Sequence, residues 1–203
     1  VNDTLNYYEE NAVELSASYE GAQLDMLYQA MSSHFPAGSS LLEIGCGSGR
    51  DAARLLAAGY GVQAVDGSEN LLAEALKLHP ELVARTHHVL LPATLPFAAA
   101  GFDGFYSVAC LMHFSGGQIA EILNEARRVL KPAGRGLVSV PTRRADINND
   151  GIDQHGRTFN LFSPAEWLEI FTKCGFSAKA GKEEPDGAGR EGISWISYFL
   201  TKI

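Results

Sequence analysis

The sequence predicts an α/β protein built on a doubly wound, seven-stranded sheet, mostly parallel with an antiparallel last strand and preceded by two N-terminal helices. Three observations carry this. A glycine-rich turn at residues 41–51 joins an apolar strand to a helix, strand and helix patterns alternate from there to residue 140, and two strand-like runs flanking a glycine-rich loop close the chain.

Before the turn, Leu5, Tyr8, Ala12 and Leu15 recur at helical spacing, and Leu24, Leu27, Tyr28, Met31 and Phe35 repeat the pattern, giving a helical cap over residues 1–36. The first strand runs to Ile44, and the helix behind Gly49 carries Ala52, Ala53, Leu55 and Leu56 up to Gly59. The second strand, residues 62–65, closes on Asp66. Ser68 then caps a helix bearing Leu71, Leu72, Ala75 and Leu76. A third strand is expected within residues 86–91 and a fourth over residues 102–109. Ile119, Ile122, Leu123, Ala126, Val129 and Leu130 form the stripe of the next helix, ended by Pro132-Ala133-Gly134, and residues 136–140 supply a fifth strand. Residues 143–162 are polar and turn-rich, too long for a minimal connection, as functional loops often are. Ser163-Pro164-Ala165-Glu166 is a capping box with proline at the first helical position, opening a helix that buries Trp167, Ile170, Phe171 and Cys174. Residues 176–182 and 193–201 make the final antiparallel pair.

Composition bounds the function. At 203 residues and 46% hydrophobic, the chain suits one well-cored domain and is short for two, so residues 1–203 are read as a single unit. No apolar run reaches the length of a membrane span or a secretory leader, so a cytoplasmic protein without membrane contact is expected. A net charge of −8 offers no broad basic face, and no nucleic-acid partner is expected. Cys46, Cys110 and Cys174 are too widely spaced for a metal motif, and His87 and His88, adjacent on a strand, point to opposite faces; no metal site is expected.

The turn reads Glu43-Ile44-Gly45-Cys46-Gly47-Ser48-Gly49-Arg50. Glycines let main chain approach a ligand, and the following helix start favours an anion. A dinucleotide fingerprint would need a glycine where Arg50 stands, which speaks against a nicotinamide oxidoreductase. Glu43 instead suits a ligand carrying an ammonium group, and Asp66 at the tip of the second strand is placed for ribose hydroxyls.

These residues resemble the class I S-adenosylmethionine-dependent methyltransferases. The resemblance rests on Glu43 to Gly49, on Val65-Asp66-Gly67-Ser68, on Leu95-Pro96-Phe97 ahead of Phe102-Asp103, and on Arg128-Val129-Leu130-Lys131-Pro132-Ala133-Gly134. It implies a Rossmann-like sheet with an antiparallel seventh strand and S-adenosylmethionine as cofactor. By the same resemblance Glu43 and the loop Gly45, Cys46, Gly47 and Gly49 meet the methionine part, Asp66 the ribose, and Gly67 and Ser68 the adenosine, with Arg50 and Val108 also counted as cofactor-binding. Where many relatives carry an aspartate toward adenine this chain has Leu91, so apolar and backbone contact at Leu91 and Pro92 is expected instead.

A sulfonium methyl is already activated, so the protein need only align a nucleophile, exclude water and in some cases take a proton. His113, just after the fourth strand, is the titratable group best placed to act as base. Tyr7 and Tyr8 could close over the sulfonium, and His155 and Arg157 in the long loop, an expected substrate lid, could recognise the acceptor. Relatives that methylate nucleobase nitrogens carry Asn or Asp before Pro-Pro and an aromatic residue where this chain has Val108-Ala109-Cys110-Leu111. With the acidic charge, this favours a small-molecule acceptor, with the protein a monomer or homodimer. A cofactor-binding domain without turnover is the competing reading.

Overall fold

A computed structural model describes residues 3–203. Helices α1 (Asp3–Glu10), α2 (Ala12–Glu20) and α3 (Asp25–His34) precede the sheet, then β1 (Ser40–Ile44), α4 (Arg50–Ala57), β2 (Gly61–Asp66), α5 (Glu69–Leu78), β3 (Thr86–His88), β4 (Phe102–Val108), α6 (Gly116–Val129), β5 (Leu130–Arg144), α7 (Pro164–Lys173), β6 (Phe176–Pro185) and β7 (Ile193–Lys202) follow. The expected two N-terminal helices are three. The first stripe breaks at Asn11, whose backbone leaves the helical region at φ −113° and ψ 18°.

All seven strands lie in one sheet of order β3-β2-β1-β4-β5-β7-β6. Neighbours from β3 to β5 pair in parallel, and β7 runs antiparallel to both β5 and β6. Sequence spacing anticipates the strands but not their lengths. β3 stops at His88. β5 extends to Arg144 because its far end pairs with the start of β7, Arg144 opposite Ile193.

Alternation along the strands sorts the core into two layers. Leu42, Ile44, Phe105 and Val138 face α6 and α7 together with Trp167 and Phe171. Leu41, Tyr106 and Leu137 face α3 and α4 with Met31, Phe35 and Ala52. Glu43 shares the alternation of Leu41, so its carboxyl lies on the layer of Tyr106. Ser163 caps α7 as expected, its hydroxyl accepting from the Glu166 N–H while Glu166 accepts from the Ser163 N–H. Ser115 and Gln118 form an equivalent box on α6. Among the described residues, no helix is long and apolar enough to cross a membrane.

Candidate active site

The strand order reverses direction of growth at β1, which has β2 on one side and β4 on the other, and ligands of such sheets bind outside the strand ends at that point. The glycine loop sits there. Gly45, Gly47 and Gly49 take φ values of 80°, 52° and 78°, the left-handed region where a side chain is strained. Space reinforces conformation at Gly45, where a Cβ would stand 2.4 Å from the Cys110 Sγ. At Gly47 a Cβ would meet the Tyr19 ring at 3.4 Å, so α2 roofs the loop.

Carboxylates surround this turn. Both oxygens of Asp66 accept backbone N–H groups, from Gly47 at 2.8 Å and Ser68 at 2.9 Å, tying the loop to the start of α5. Burial raises its pKa even against these donors. Glu43 is 1% exposed. The hydrogen bond it receives comes from a neutral donor, the Tyr106 hydroxyl at 3.1 Å. Burial first, and then the neighbouring Asp51 carboxylate, push its pKa well above the ordinary carboxylate value. Arg50 does not compensate it directly, because its guanidinium bonds both oxygens of Asp51 at 2.8 and 3.0 Å and the Tyr19 carbonyl at 2.7 Å.

Arg50 therefore fastens α2 to α4 rather than offering a free cation to a ligand. Ser68 is likewise engaged as a buried helix cap, its hydroxyl accepting from the Leu71 N–H at 3.0 Å. Cys46 is buried, and its thiol is pushed well up by burial. Gly67 packs near Leu5 and Leu90. Leu91, Pro92 and Val108 are half-buried, with Leu91 resting on the core beneath α6 and Val108 on the opposite layer.

The second group of expected residues converges over the loop. Tyr8 and His113, 105 positions apart, meet at 2.8 Å between the Tyr8 hydroxyl and Nε2. His113 Nδ1 lies 2.7 Å from the Thr158 carbonyl oxygen. A carbonyl only accepts, so Nδ1 carries the proton, Nε2 is the acceptor, and Tyr8 donates. Burial lowers the His113 pKa to about 4, so the ring is neutral near pH 7. Tyr8 is held as a neutral phenol, its pKa raised by burial with partial opposition from Arg157.

Residues 145–162 fold onto this pair as a small structured unit, pinned by bridges between Ile147 and Asp153 and between Ile152 and Thr158. Buried Asp153 organises it, accepting from the backbone of His155 and Arg157 and from the Arg157 side chain at 2.8 Å. Burial alone would raise the Asp153 pKa, but Arg157 holds it below the usual value. Arg157 lies over the Tyr7 ring at 4.6 Å, and the His155 ring packs against Tyr7 at 4.8 Å, tilted by 36°. Sequence reasoning picks out Tyr19 as packing or an active-site cover and Phe159 as an acceptor contact, but not Thr158. Phe159 packs 4.8 Å from His113 and 3.9 Å beneath Arg144, while Thr158 also takes the Thr4 hydroxyl oxygen as partner for its N–H. Aromatic character was the available signal for Phe159 and Tyr19; Thr158 acts through its main chain, which gives no residue-specific signal. A groove of about 350 Å³ between α6 and α7 includes none of these residues.

Residues 41–134 match a family described as "Methyltransferase domain". Among curated relatives, the O-methyltransferase resE of Aspergillus sclerotiorum is 34% identical over 104 residues, 49% of this chain and 38% of that protein. The malonyl-[acyl-carrier protein] O-methyltransferase of Erwinia pyrifoliae is 36% identical over 105 residues, 50% of this chain and 37% of that protein. The chain thus spans less than half the length of the curated relatives it matches. In fold it is similar to the 1,6-didemethyltoxoflavin-N1-methyltransferase of Burkholderia thailandensis, solved with 1,6-didemethyltoxoflavin and S-adenosylhomocysteine, with a TM-score of 0.76 at 20% identity over 98% of this chain and 87% of that one. By that family model residues 41–134 are similar to a methyltransferase domain, and the likeness to the solved structure is one of fold.

Proposed function

We propose that this chain transfers the methyl group of S-adenosylmethionine to a small-molecule acceptor by in-line displacement. One observation carries the reading. Glu43 is a buried carboxylate at the head of a glycine loop, with a neutral hydroxyl as its hydrogen-bond donor and no ion pair among the described residues. A buried charge without a counter-ion is costly, and an amino-acid ammonium placed over the loop would supply one.

In this proposal Glu43, Gly45, Cys46, Gly47 and Gly49 hold the methionine part and Asp66 the ribose. Gly67, Val108, Leu91 and Pro92 border the adenosine. Arg50 and Ser68 support the loop from behind, through Asp51 and Leu71. When bound, the cofactor supplies a sulfonium whose methyl is electrophilic. The chain supplies the enclosure: Tyr7, Tyr8 and Tyr19 offer ring faces that attract a cation, and residues 143–162 act as a lid that keeps water out. His113 is held at both nitrogens and acts as a positioning residue, fixing the Tyr8 hydroxyl, which Arg157 also approaches. Tyr7, His155 and Arg157 recognise that acceptor.

The acidic surface and the methyltransferase relatives support a small molecule, and a cytoplasmic location belongs to the same proposal, as do three free thiols suited to a reducing compartment. Calorimetric titration with S-adenosylmethionine and S-adenosylhomocysteine tests it. Asp66→Ala is expected to weaken both at least ~10-fold, about 1.4 kcal/mol. Folded protein that binds neither compound sinks the proposal. Binding without S-adenosylhomocysteine release across a broad acceptor panel favours a domain without turnover.

A further inference from the structure

The charges behind the glycine loop do not balance in the free protein. Two buried carboxylates, Glu43 on β1 and Asp51 on α4, share a space with one guanidinium, Arg50, and that guanidinium is bonded to both oxygens of Asp51. Tyr28 on α3 adds a hydroxyl to the same Asp51 oxygen at 2.5 Å, completing its shell. Asp66 on β2 adds a third carboxylate within electrostatic reach of Glu43, and its own hydrogen bonds come from backbone amides. The remaining groups facing Glu43 are Tyr106 on β4, which donates a hydrogen bond, and the thiols of Cys46 in the loop and Cys110 after β4, which are neutral. Among the described residues Arg50 is the cation within electrostatic reach of Glu43, and its hydrogen bonds are committed to Asp51 and the Tyr19 carbonyl.

We propose that Glu43 holds a proton in the free protein and releases it when a ligand ammonium arrives, so that occupation of the site is a proton-for-ammonium exchange. This rests on the functional reading above and adds to it a basis for selectivity. A ligand with the amino-acid tail discharges the proton and gains an ion pair in a desolvated place, whereas a nucleoside without the tail leaves the proton where it is. Affinity for the tailed ligand therefore rises with pH through the Glu43 transition, because the bound state holds fewer protons than the free state.

The burial of Glu43 supports the same direction, its pKa standing well above that of an exposed carboxylate. Calorimetry in buffers of different ionisation heat reads the exchange without any methyl acceptor. Titration of the intact chain with S-adenosylhomocysteine at a series of pH values between about 5 and about 8 is expected to show linked release of up to about one proton per ligand. Titration with 5′-methylthioadenosine, which lacks the amino-acid tail, is expected to release none. Glu43→Gln keeps the Tyr106 hydrogen bond and the packing, and is expected to bind S-adenosylhomocysteine ~10-fold or more weakly with no proton release. Asp66→Asn serves as the rival, since it must still release the proton if Glu43 is the source.

Binding of S-adenosylhomocysteine with no linked proton from about pH 5 to about pH 8 overturns the exchange while leaving the functional reading intact. Proton release that survives Glu43→Gln overturns it as well. Failure of the folded chain to bind S-adenosylhomocysteine at all removes the functional reading and the exchange together.

Discussion

The floor and the roof of the candidate site are built from different materials. Loop 45–49 is shaped by main chain: three left-handed glycines, and two backbone amides, those of Gly47 and Ser68, gathered by Asp66. The roof, made of α1, α2 and residues 145–162, is shaped by side chains that meet across more than a hundred positions, as Tyr8 and His113 do. A backbone device tolerates few substitutions, because nothing else can occupy the same φ or the same space. A side-chain roof can be loosened one contact at a time, and its opening is set by local stability.

The largest expected effect breaks the floor. Gly45→Ala places a Cβ 2.4 Å from the Cys110 Sγ and 2.5 Å from its Cβ, at φ 80°. The left-handed penalty of about 1–2 kcal/mol adds to an overpacking cost of about 1–3 kcal/mol, so a loss of roughly 2–5 kcal/mol in unfolding free energy is expected. Urea melts measure it. S-adenosylhomocysteine binding should fall below detection in the same protein. Pairing it with Cys110→Gly removes the collision and keeps the φ penalty, so the double variant should recover the steric share alone. Stability equal to that of the parent chain would show that the loop is held less rigidly than its geometry indicates.

A smaller effect probes the roof through pH. The folded pKa of His113, about 4, lies below the ordinary value of 6.5, so between the two the unfolded chain binds more protons than the folded one. The contribution of His113 is fully present above about pH 6.5 and is lost as pH falls toward about 4, by at most about 1.4 kcal/mol per pH unit. Protonation also converts Nε2 into a donor facing the Tyr8 hydroxyl, so that hydrogen bond must reverse its direction. Exchange of the backbone amides of α1 and residues 145–162 should quicken in that window before the sheet does. His113→Gln should flatten the difference. A roof equally protected at pH 4.5 and pH 7, against the expected slope, would place the weak point elsewhere.

The two walls were unequally legible in the sequence. Gly45, Gly47 and Gly49 announce themselves because glycine at alternate positions between a strand and a helix has few other uses, and Asp66 follows from its place at a strand end. The strands and both capping boxes come from local patterns, as Ser163-Pro164-Ala165-Glu166 shows. The break at Asn11 was not legible, since Leu5, Tyr8, Ala12 and Leu15 keep one helical period across it. The occupation of Arg50 by Asp51 and Tyr19, and of His113 by Tyr8 and Thr158, was also hidden. Spacing says which residues share a face, but partners across the fold decide whether a nitrogen is free to do chemistry.

The smallest expected effect lies where floor and roof touch. Glu20, at the end of α2, accepts from the Ser48 hydroxyl in the loop at 2.7 Å and lies 3.2 Å from His79 Nε2 at the end of α5. Its carboxylate is partly exposed, so its contact with His79 is screened and contributes below about 1 kcal/mol. Glu20→Gln keeps an acceptor for Ser48 and removes the charge, and should shift the urea midpoint slightly, with less effect still at high salt. Affinity for S-adenosylhomocysteine should change less than ~3-fold, because the loop conformation rests on its glycines and on Asp66. A loss of ~10-fold or more would mean that the roof helps set the loop geometry, and the division between the two walls would have to be redrawn at Ser48.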